Sequence, residues 1–305
     1  MKILVTGASG FVGRTLVQTL RAAGHTVQTA GFSSPHVDHR IPLGPNADWT
    51  QALADCDAVV HAGGRAHVLD KSATSASTFD DINTKGTLRL AEAARRVGVR
   101  HFIFISSIAA LGEREDKPLQ EQDISRPTTP YGRSKLAAEQ GLLAMDGLRV
   151  TCLRPPLVYG PDAGGRFGQM LRWCARGLPL PLAGIRNQRS FLAAPNLADA
   201  VRLCLAQGEN ATGIFHLADE GTLSTPELLQ LIGQGLGKPA RLLAIPPFAL
   251  HTMRRFGLAQ PIDKLSQSLV VDTSKFRAQC GWIPPVQLRD GIVDAARRYR
   301  ENASP

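Results

Sequence analysis

Residues 3–6 form a short apolar run, and apolar positions then recur at Val12, Leu16, Val17 and Leu20. The first pattern is that of a buried strand and the second that of one helix face. Gly24 closes the helix, and residues 26–30 read as a second strand. Residues 58–61 (Ala-Val-Val-His) read as a third. A long amphipathic helix is expected over 80–97, with Ile82, Leu88, Leu90, Ala91, Ala94 and Val97 on its apolar side. A fourth strand over 101–106, a helix over 131–145 and a strand over 149–154 complete the first half. Strands that alternate with helices predict a parallel sheet covered on both faces, with ligands beyond the carboxyl ends of its strands.

After Pro161 the alternation weakens and Gly and Pro become frequent, as in Gly164-Gly165 and the stretch Gly177-Leu178-Pro179-Leu180-Pro181. Helical stretches are expected at 167–176, 196–205, 225–236 and 288–300. The expected architecture is α/β, a Rossmann-type doubly wound parallel sheet with a smaller C-terminal α/β substrate lobe. Residues 1–165 form the expected dinucleotide-binding domain, with 190–218 returning to it, and 166–305 mainly the substrate-binding lobe.

The chain has 305 residues, 43% of them hydrophobic and 20% charged, enough for a large core and too apolar for extended disorder. No apolar run is long enough to span a bilayer, and Met1-Lys2-Ile3-Leu4-Val5 lacks a signal-peptide layout. A cytoplasmic location is therefore expected. The formal charge is +9, but the basic residues are scattered and only 6% of residues are aromatic. That excludes an evident nucleic-acid platform and favours an anionic small molecule. The five cysteines are widely spaced without a CxxC pair, which fits buried free thiols and offers no metal site.

Candidate chemistry lies in three places. Gly7, Gly10 and Gly13 follow strand one directly and open the first helix. Residues without side chains let a backbone approach a pyrophosphate, and the helix start supplies N–H donors. Tyr131 and Lys135 are four apart at the start of a helix, so both lie on one face. An ammonium beside a phenol favours the phenolate and suits proton exchange, although the spacing is also that of an ordinary surface pair. Ser106 and Ser107 end strand four, where a hydroxyl can bond a substrate oxygen, or simply form a turn.

Together these segments resemble the extended short-chain dehydrogenase/reductase family, also called the epimerase/dehydratase family of nucleotide-sugar enzymes. The resemblance extends to Asp57-Ala58-Val59-Val60-His61-Ala62, Asn83-Thr84-Lys85-Gly86-Thr87, Arg154-Pro155-Pro156-Leu157-Val158-Tyr159-Gly160-Pro161, Arg189-Ser190-Phe191 and Gly281-Trp282-Ile283-Pro284-Pro285. It implies a dinucleotide bound by Gly7, Ser9, Gly10, Phe11, Val12, Gly13, Arg14, His61, Ala62, Tyr131, Lys135 and Pro156. It implies Ser107, Tyr131 and Lys135 as the catalytic residues, with Lys135 lowering the Tyr131 pKa. Ser107 and Arg189 are the implied substrate contacts, Arg189 at the diphosphate.

Two departures narrow the function. Ile108, Ala109 and Ala110 follow Ser107 where dehydratases carry an Asp-Glu pair, so elimination of water is not expected. Gly31, Phe32, Ser33 and Ser34 stand where NAD-specific members end strand two with an acid. With Arg14 and Arg40 near, NADP(H) is favoured and NAD(H) possible. The stretch Arg172-Trp173-Cys174-Ala175-Arg176 with Asn187-Gln188-Arg189-Ser190 resembles bacterial nucleotide-sugar 4-ketoreductases and 4-epimerases of surface-polysaccharide (O-antigen) synthesis. The expected function is reduction of the C4 ketone of a UDP-linked 4-keto-6-deoxy (2-acetamido) hexose. The alternative is a UDP-hexose 4-epimerase with tightly bound NAD. A non-catalytic dinucleotide-binding regulator is opposed by the intact Ser107, Tyr131 and Lys135. A homodimer built on the helices after Asp80 and from Tyr131 is expected, with Leu88, Leu90, Leu136 and Leu142 as its apolar residues.

Overall fold

The computed structural model describes residues 1–32, 34–65, 76–112, 117–244 and 265–303. Its centre is a sheet of seven strands: β1 (Lys2–Thr6), β2 (Thr26–Gly31), β3 (His39–Arg40), β4 (Ala58–His61), β5 (His101–Ile105), β6 (Arg149–Arg154) and β9 (Gly213–His216). Their order is β3-β2-β1-β4-β5-β6-β9 and every pairing is parallel. From β1 the chain winds first towards β2 and then back to β4, so the order reverses between β1 and β4. That is where a doubly wound sheet opens a crevice at its carboxyl ends. A second, two-stranded parallel sheet pairs β7 (Leu157–Tyr159) with β8 (Phe191–Ala193).

Strands β4 and β5 are buried at every position, as expected of parallel strands covered on both faces. One covering layer holds α1 (Phe11–Ala22) and α6 (Ala194–Gln207), whose Leu16, Val17, Leu20, Leu197 and Val201 share a core with Ile3, Val5, Val60 and Ile103. The opposite layer holds α3 (Gly86–Arg96) and α4 (Pro130–Leu143), which bury Leu90, Ala91, Ala138 and Leu142 against Val59, Phe102 and Phe104. A separate core joins α5 (Gly165–Ala175), α7 (Thr225–Gly235) and α9 (Leu288–Ala303) through Phe167, Leu171, Leu229, Ile232 and Ile292. The short α8 (Ser274–Cys280) returns to the large sheet, where Phe276 packs against Phe215 and Trp282.

The pattern missed several elements. The helix expected over 80–97 is two pieces, a wide π-type turn at Asp80–Lys85 and α3, and the short α2 (Ala76–Phe79) precedes it. The wide turn aims Asn83 and Thr84 at α4, where their side chains bond Ser134. Strands β3, β7 and β8 are two or three residues long, too short to show a period. Of the four leucines expected at a dimer face, Leu90 and Leu142 are wholly buried in this chain's own core. All five cysteines are buried free thiols. Among the described residues no helix is long and apolar enough to cross a membrane.

Candidate active site

The crevice floor is built by backbone contact. Gly7 has φ +67°, and a methyl group there would lie 2.7 Å from the Cα of Gly63, just past β4. A methyl group on Gly13 would lie 2.0 Å from the Gly7 carbonyl oxygen, so α1 is pressed against the turn that follows β1. The first turn of α1 has no side-chain cap at Gly10 and no acidic residue. The N–H groups of that turn, at Phe11 and Val12, are therefore not capped by a side chain at Gly10, and helix starts of this kind suit an anion. This cradle fits the diphosphate of a dinucleotide.

Around the cradle the expected cofactor residues fare differently. Ser9 reaches the end of β2: a methyl group on Gly31 would sit 3.4 Å from its Oγ. Arg14 donates to the Ser9 carbonyl oxygen at 3.0 Å and pairs with Asp162 at 3.6 Å. Its guanidinium is thus engaged on the far side of the glycine turn as well as towards β2. Asp38, the nearest acid after β2, spends its carboxylate on the Thr29 N–H and hydroxyl, both at 2.8 Å. Those donors hold its pKa below the ordinary value against the opposing effect of burial. Ser33 lies outside the described residues. His61 is fully buried, with Nδ1 2.5 Å from the Thr6 hydroxyl and Nε2 2.9 Å from the Thr87 hydroxyl. Burial, aided by the nearby Lys135 charge, lowers its pKa to about 3. Both imidazole nitrogens are committed, so His61 meets the crevice through its main chain, beside the half-buried Ala62. Pro156 is buried in the link between β6 and β7, and the adjacent Pro155 carbonyl accepts from the Ile108 N–H at 3.0 Å.

At the end of β5 the two candidate serines separate. Ser107 caps the short helical turn Ile108–Ala110, accepting from the Ala109 N–H at 3.2 Å, and its hydroxyl lies beside the Tyr131 phenol, where it pulls the phenol's pKa down. Ser106 points inward to Glu139. Thr129 caps α4 by accepting from the Gly132 N–H at 3.0 Å, and Pro130 occupies the first turn. A methyl group on Gly132 would lie 2.3 Å from the Ala109 carbonyl oxygen. That close approach brings Tyr131 onto Ser107. The Phe79 ring meets Tyr131 edge-on at 6.3 Å between centroids.

Lys135 lies one turn below, with Nζ donating to the Ile105 carbonyl at 3.0 Å, 4.4 Å from the centroid of the Phe104 ring and 6.0 Å from that of Tyr131. Burial lowers its pKa to about 8, opposed by the Glu139 charge. Burial raises the Tyr131 phenol to about 12, with Ser107 pulling the other way. The Lys135 ammonium, expected to lower it, is turned to the Ile105 carbonyl. Asn83 ties the wall together, accepting from the Arg65 N–H at 2.8 Å and donating to Arg65 O and Ser134 Oγ, each at 3.0 Å.

Arg189 is half-buried in a bridge between Leu223 and Leu269, and its Nη1 donates to the Gln267 carbonyl at 2.6 Å. Leu269 packs with Val271, Leu119 and Ile108, the residue after Ser107. One hydrophobic cluster thus links Leu269, the bridge partner of Arg189, to the residue after Ser107. Glu139, which sequence reasoning passed over, and Arg154, which it read only as the start of a family motif, complete the interior. Glu139 accepts from Arg154 Nε at 3.0 Å and Nη2 at 2.6 Å, with both side chains almost fully buried. Glu139 is four residues past Lys135, and that spacing was its available signal.

The glycine cradle, the Ser107–Tyr131 pair and the lysine one turn on accompany a match of residues 3–218 to the NAD dependent epimerase/dehydratase family. The chain belongs to that family. This member is 33% identical over 97% of its length to a UDP-glucose 4-epimerase of Vibrio cholerae, 95% of which is covered. Its fold matches UDP-N-acetylglucosamine 4-epimerase from Bacillus cereus with a TM-score of 0.82 at 23% identity, over 99% of each chain. It matches the NAD complex of UDP-glucose 4-epimerase from Thermus thermophilus with a TM-score of 0.79 at 26% identity, over 99% of this chain and 100% of that one. As a member of the family it is an NAD-dependent enzyme of the epimerase/dehydratase type.

Proposed function

We propose that the enzyme inverts C4 of a UDP-linked hexose, holding NAD in the crevice throughout. The observation that carries this reading is the placement of Tyr131 beside Ser107 at the carboxyl end of β5, with Lys135 one turn deeper on the Ile105 carbonyl. When bound, the dinucleotide supplies the acceptor and donor of an electron pair for the C4 carbon. The chain's residues do the rest. The first turn of α1, with Gly7, Gly10 and Gly13 beneath it, binds the diphosphate. Lys135 holds the nicotinamide ribose. Ser107 donates to the C4 oxygen, and Tyr131 takes the C4 hydroxyl proton and returns it. Arg189 binds the substrate diphosphate from the 265–272 side. Ile108, Ala109 and Ala110 supply no carboxylate to remove a C5 proton, which opposes dehydration. The full-length similarity to a protein named as a 4-epimerase supports C4 inversion. In this reading residues 1–165 with 190–218 serve the cofactor and 166–305 mainly the sugar nucleotide, in a homodimer.

A second reading, an NADPH-dependent 4-ketoreductase of a UDP-4-keto-6-deoxy hexose, is favoured by the end of β2. Gly31 offers no carboxylate to the adenosine ribose, and the Asp38 carboxylate is already bonded to Thr29. Acid release of nucleotide from the purified protein separates the two. Near-stoichiometric NAD supports the epimerase. Empty protein that oxidises NADPH only when given a UDP-4-keto sugar refutes it in favour of the reductase.

A further inference from the structure

Three consecutive residues at the end of β5 hold three residues spaced four apart on α4. The Ile105 carbonyl accepts from Lys135, the Ser106 hydroxyl donates to Glu139, and Ser107 lies beside Tyr131. Residues four apart share a helix face, so Tyr131, Lys135 and Glu139 form a ladder against the strand end. Its inner rung is wholly buried. Arg154, one strand over on β6, grips both oxygens of Glu139, and Ser106 donates to one of them. A buried carboxylate survives only when so paired. The catalytic proposal uses the two outer rungs and leaves Glu139, Arg154 and Ser106 without a part.

Lys135 is 4% exposed. The groups facing it are Tyr131 and Glu139 on its own helix, the Phe104 ring and Ile105 carbonyl on β5, and Cys152 on β6, with Arg154 beyond Glu139. His61 on β4 and Asn83 on the wide turn complete the set. His61 is neutral, and burial and the nearby Glu139 charge keep the Cys152 thiol protonated. Glu139 is then the one anion among these described groups, and its charge opposes the effect of burial on Lys135.

We propose that Glu139 is a positioning residue: fixed by Arg154 and Ser106, its carboxylate registers α4 on the end of β5 and holds the Lys135 amine in its charged form. The consequence for turnover rests on the proposed role of Lys135; the consequence for Lys135 itself does not. The test is ¹³Cε-lysine NMR of the cofactor-bound or cofactor-free protein as purified, with Lys135 assigned among the eight lysines by Lys135→Met. Removing the carboxylate removes what favours the ammonium, so Glu139→Gln lowers the Lys135 pKa by about one unit or more. The alkaline limb of kcat/KM moves to lower pH with it. Ser106→Ala, which leaves the charge in place, moves Lys135 by no more than about 0.3 unit. If Glu139→Gln does not fold, Glu139→Gln/Arg154→Met removes both charges together, and the expected fall is about half a unit. A Lys135 pKa within about 0.2 unit of wild type in the folded Gln-bearing variant overturns the proposal. A shifted Lys135 in a protein whose wild type turns over no UDP-hexose sinks the functional reading and leaves the positioning role standing.

Discussion

Replacing Gly13 by Ala tests the cradle most sharply. The added methyl would lie 2.0 Å from Gly7 O, 2.7 Å from Gly7 C and 2.8 Å from Ala8 Cα, all of them backbone atoms that cannot rotate away. Reaching even a tight 3.0 Å contact requires α1 to retreat by about 1 Å, against a core that buries Leu16, Val17 and Leu20. Overpacking of that kind costs about 1–3 kcal/mol. At this chain length the cost lowers Tm by roughly 2–5 °C. The same retreat carries the Phe11 and Val12 N–H groups away from the diphosphate. Losing one charge-assisted hydrogen bond of about 1.5–3 kcal/mol weakens NAD binding by roughly 10–100-fold. The assay is thermal unfolding with and without NAD, together with calorimetric titration of NAD. Gly184→Ala is the control, because no atom lies within 4 Å of its added methyl and its φ is not positive. A Gly13→Ala protein with wild-type Tm and wild-type NAD affinity would refute the argument.

Three further outcomes follow. Tyr131→Phe keeps the ring packed on Phe79 and removes the proton donor, so turnover falls by at least ~10²-fold with Tm nearly unchanged; undiminished turnover removes Tyr131 from the chemistry. Gly31→Asp fits, because its added Cβ meets only Ser9 Oγ at 3.4 Å and Val37 at 3.5 Å. It should shift preference towards NAD over NADP by about 1–3 kcal/mol in measured Kd values, and equal affinities before and after would contradict the placement of the ribose. Burial depresses His61 to about 3 and both His101 and His216 to about 4, so the folded state resists protonation that the unfolded chain accepts near pH 6.5. Their contribution is complete above about pH 6.5 and is lost as pH falls towards 4, at up to roughly 4 kcal/mol per pH unit. A Tm flat between pH 7 and 5 would show that these imidazoles are not buried as described.

The large sheet was legible because parallel strands covered on both faces are continuous apolar runs: Val59-Val60 and Phe102-Ile103-Phe104-Ile105 have no polar side to confuse the period. The glycine turn was legible because close backbone approach excludes every other residue type. The wide turn at Asp80–Lys85 was not, since Asn83 and Thr84 are drawn off the helical path by Ser134, some fifty positions later. Strands β7 and β8 are stabilised by each other and are too short to announce themselves. At the site, the i, i+4 spacing of Tyr131 and Lys135 predicted a shared face correctly. The spacing does not carry their electrostatics, because the effect of burial on the phenol and the pull of the Ile105 carbonyl on the ammonium are tertiary quantities. The preference for Ser107 over Ser106, which the resemblance implied, finds a physical reason in the pleat: successive side chains of an extended segment face opposite ways, one to Glu139 and the other towards Tyr131.

The central claim is that this cleft inverts C4 through a cofactor it retains. The direct measurement is incubation of the purified protein with UDP-[4-²H]glucose, and separately with the 4-deuterated N-acetyl analogue, with no nucleotide added and NMR detection of products. The account predicts formation of the galacto epimer from one or both, with deuterium kept at C4, because the isotope leaves and returns within one closed site. No epimer from either sugar, together with NADPH oxidation on a UDP-4-keto sugar, would contradict it.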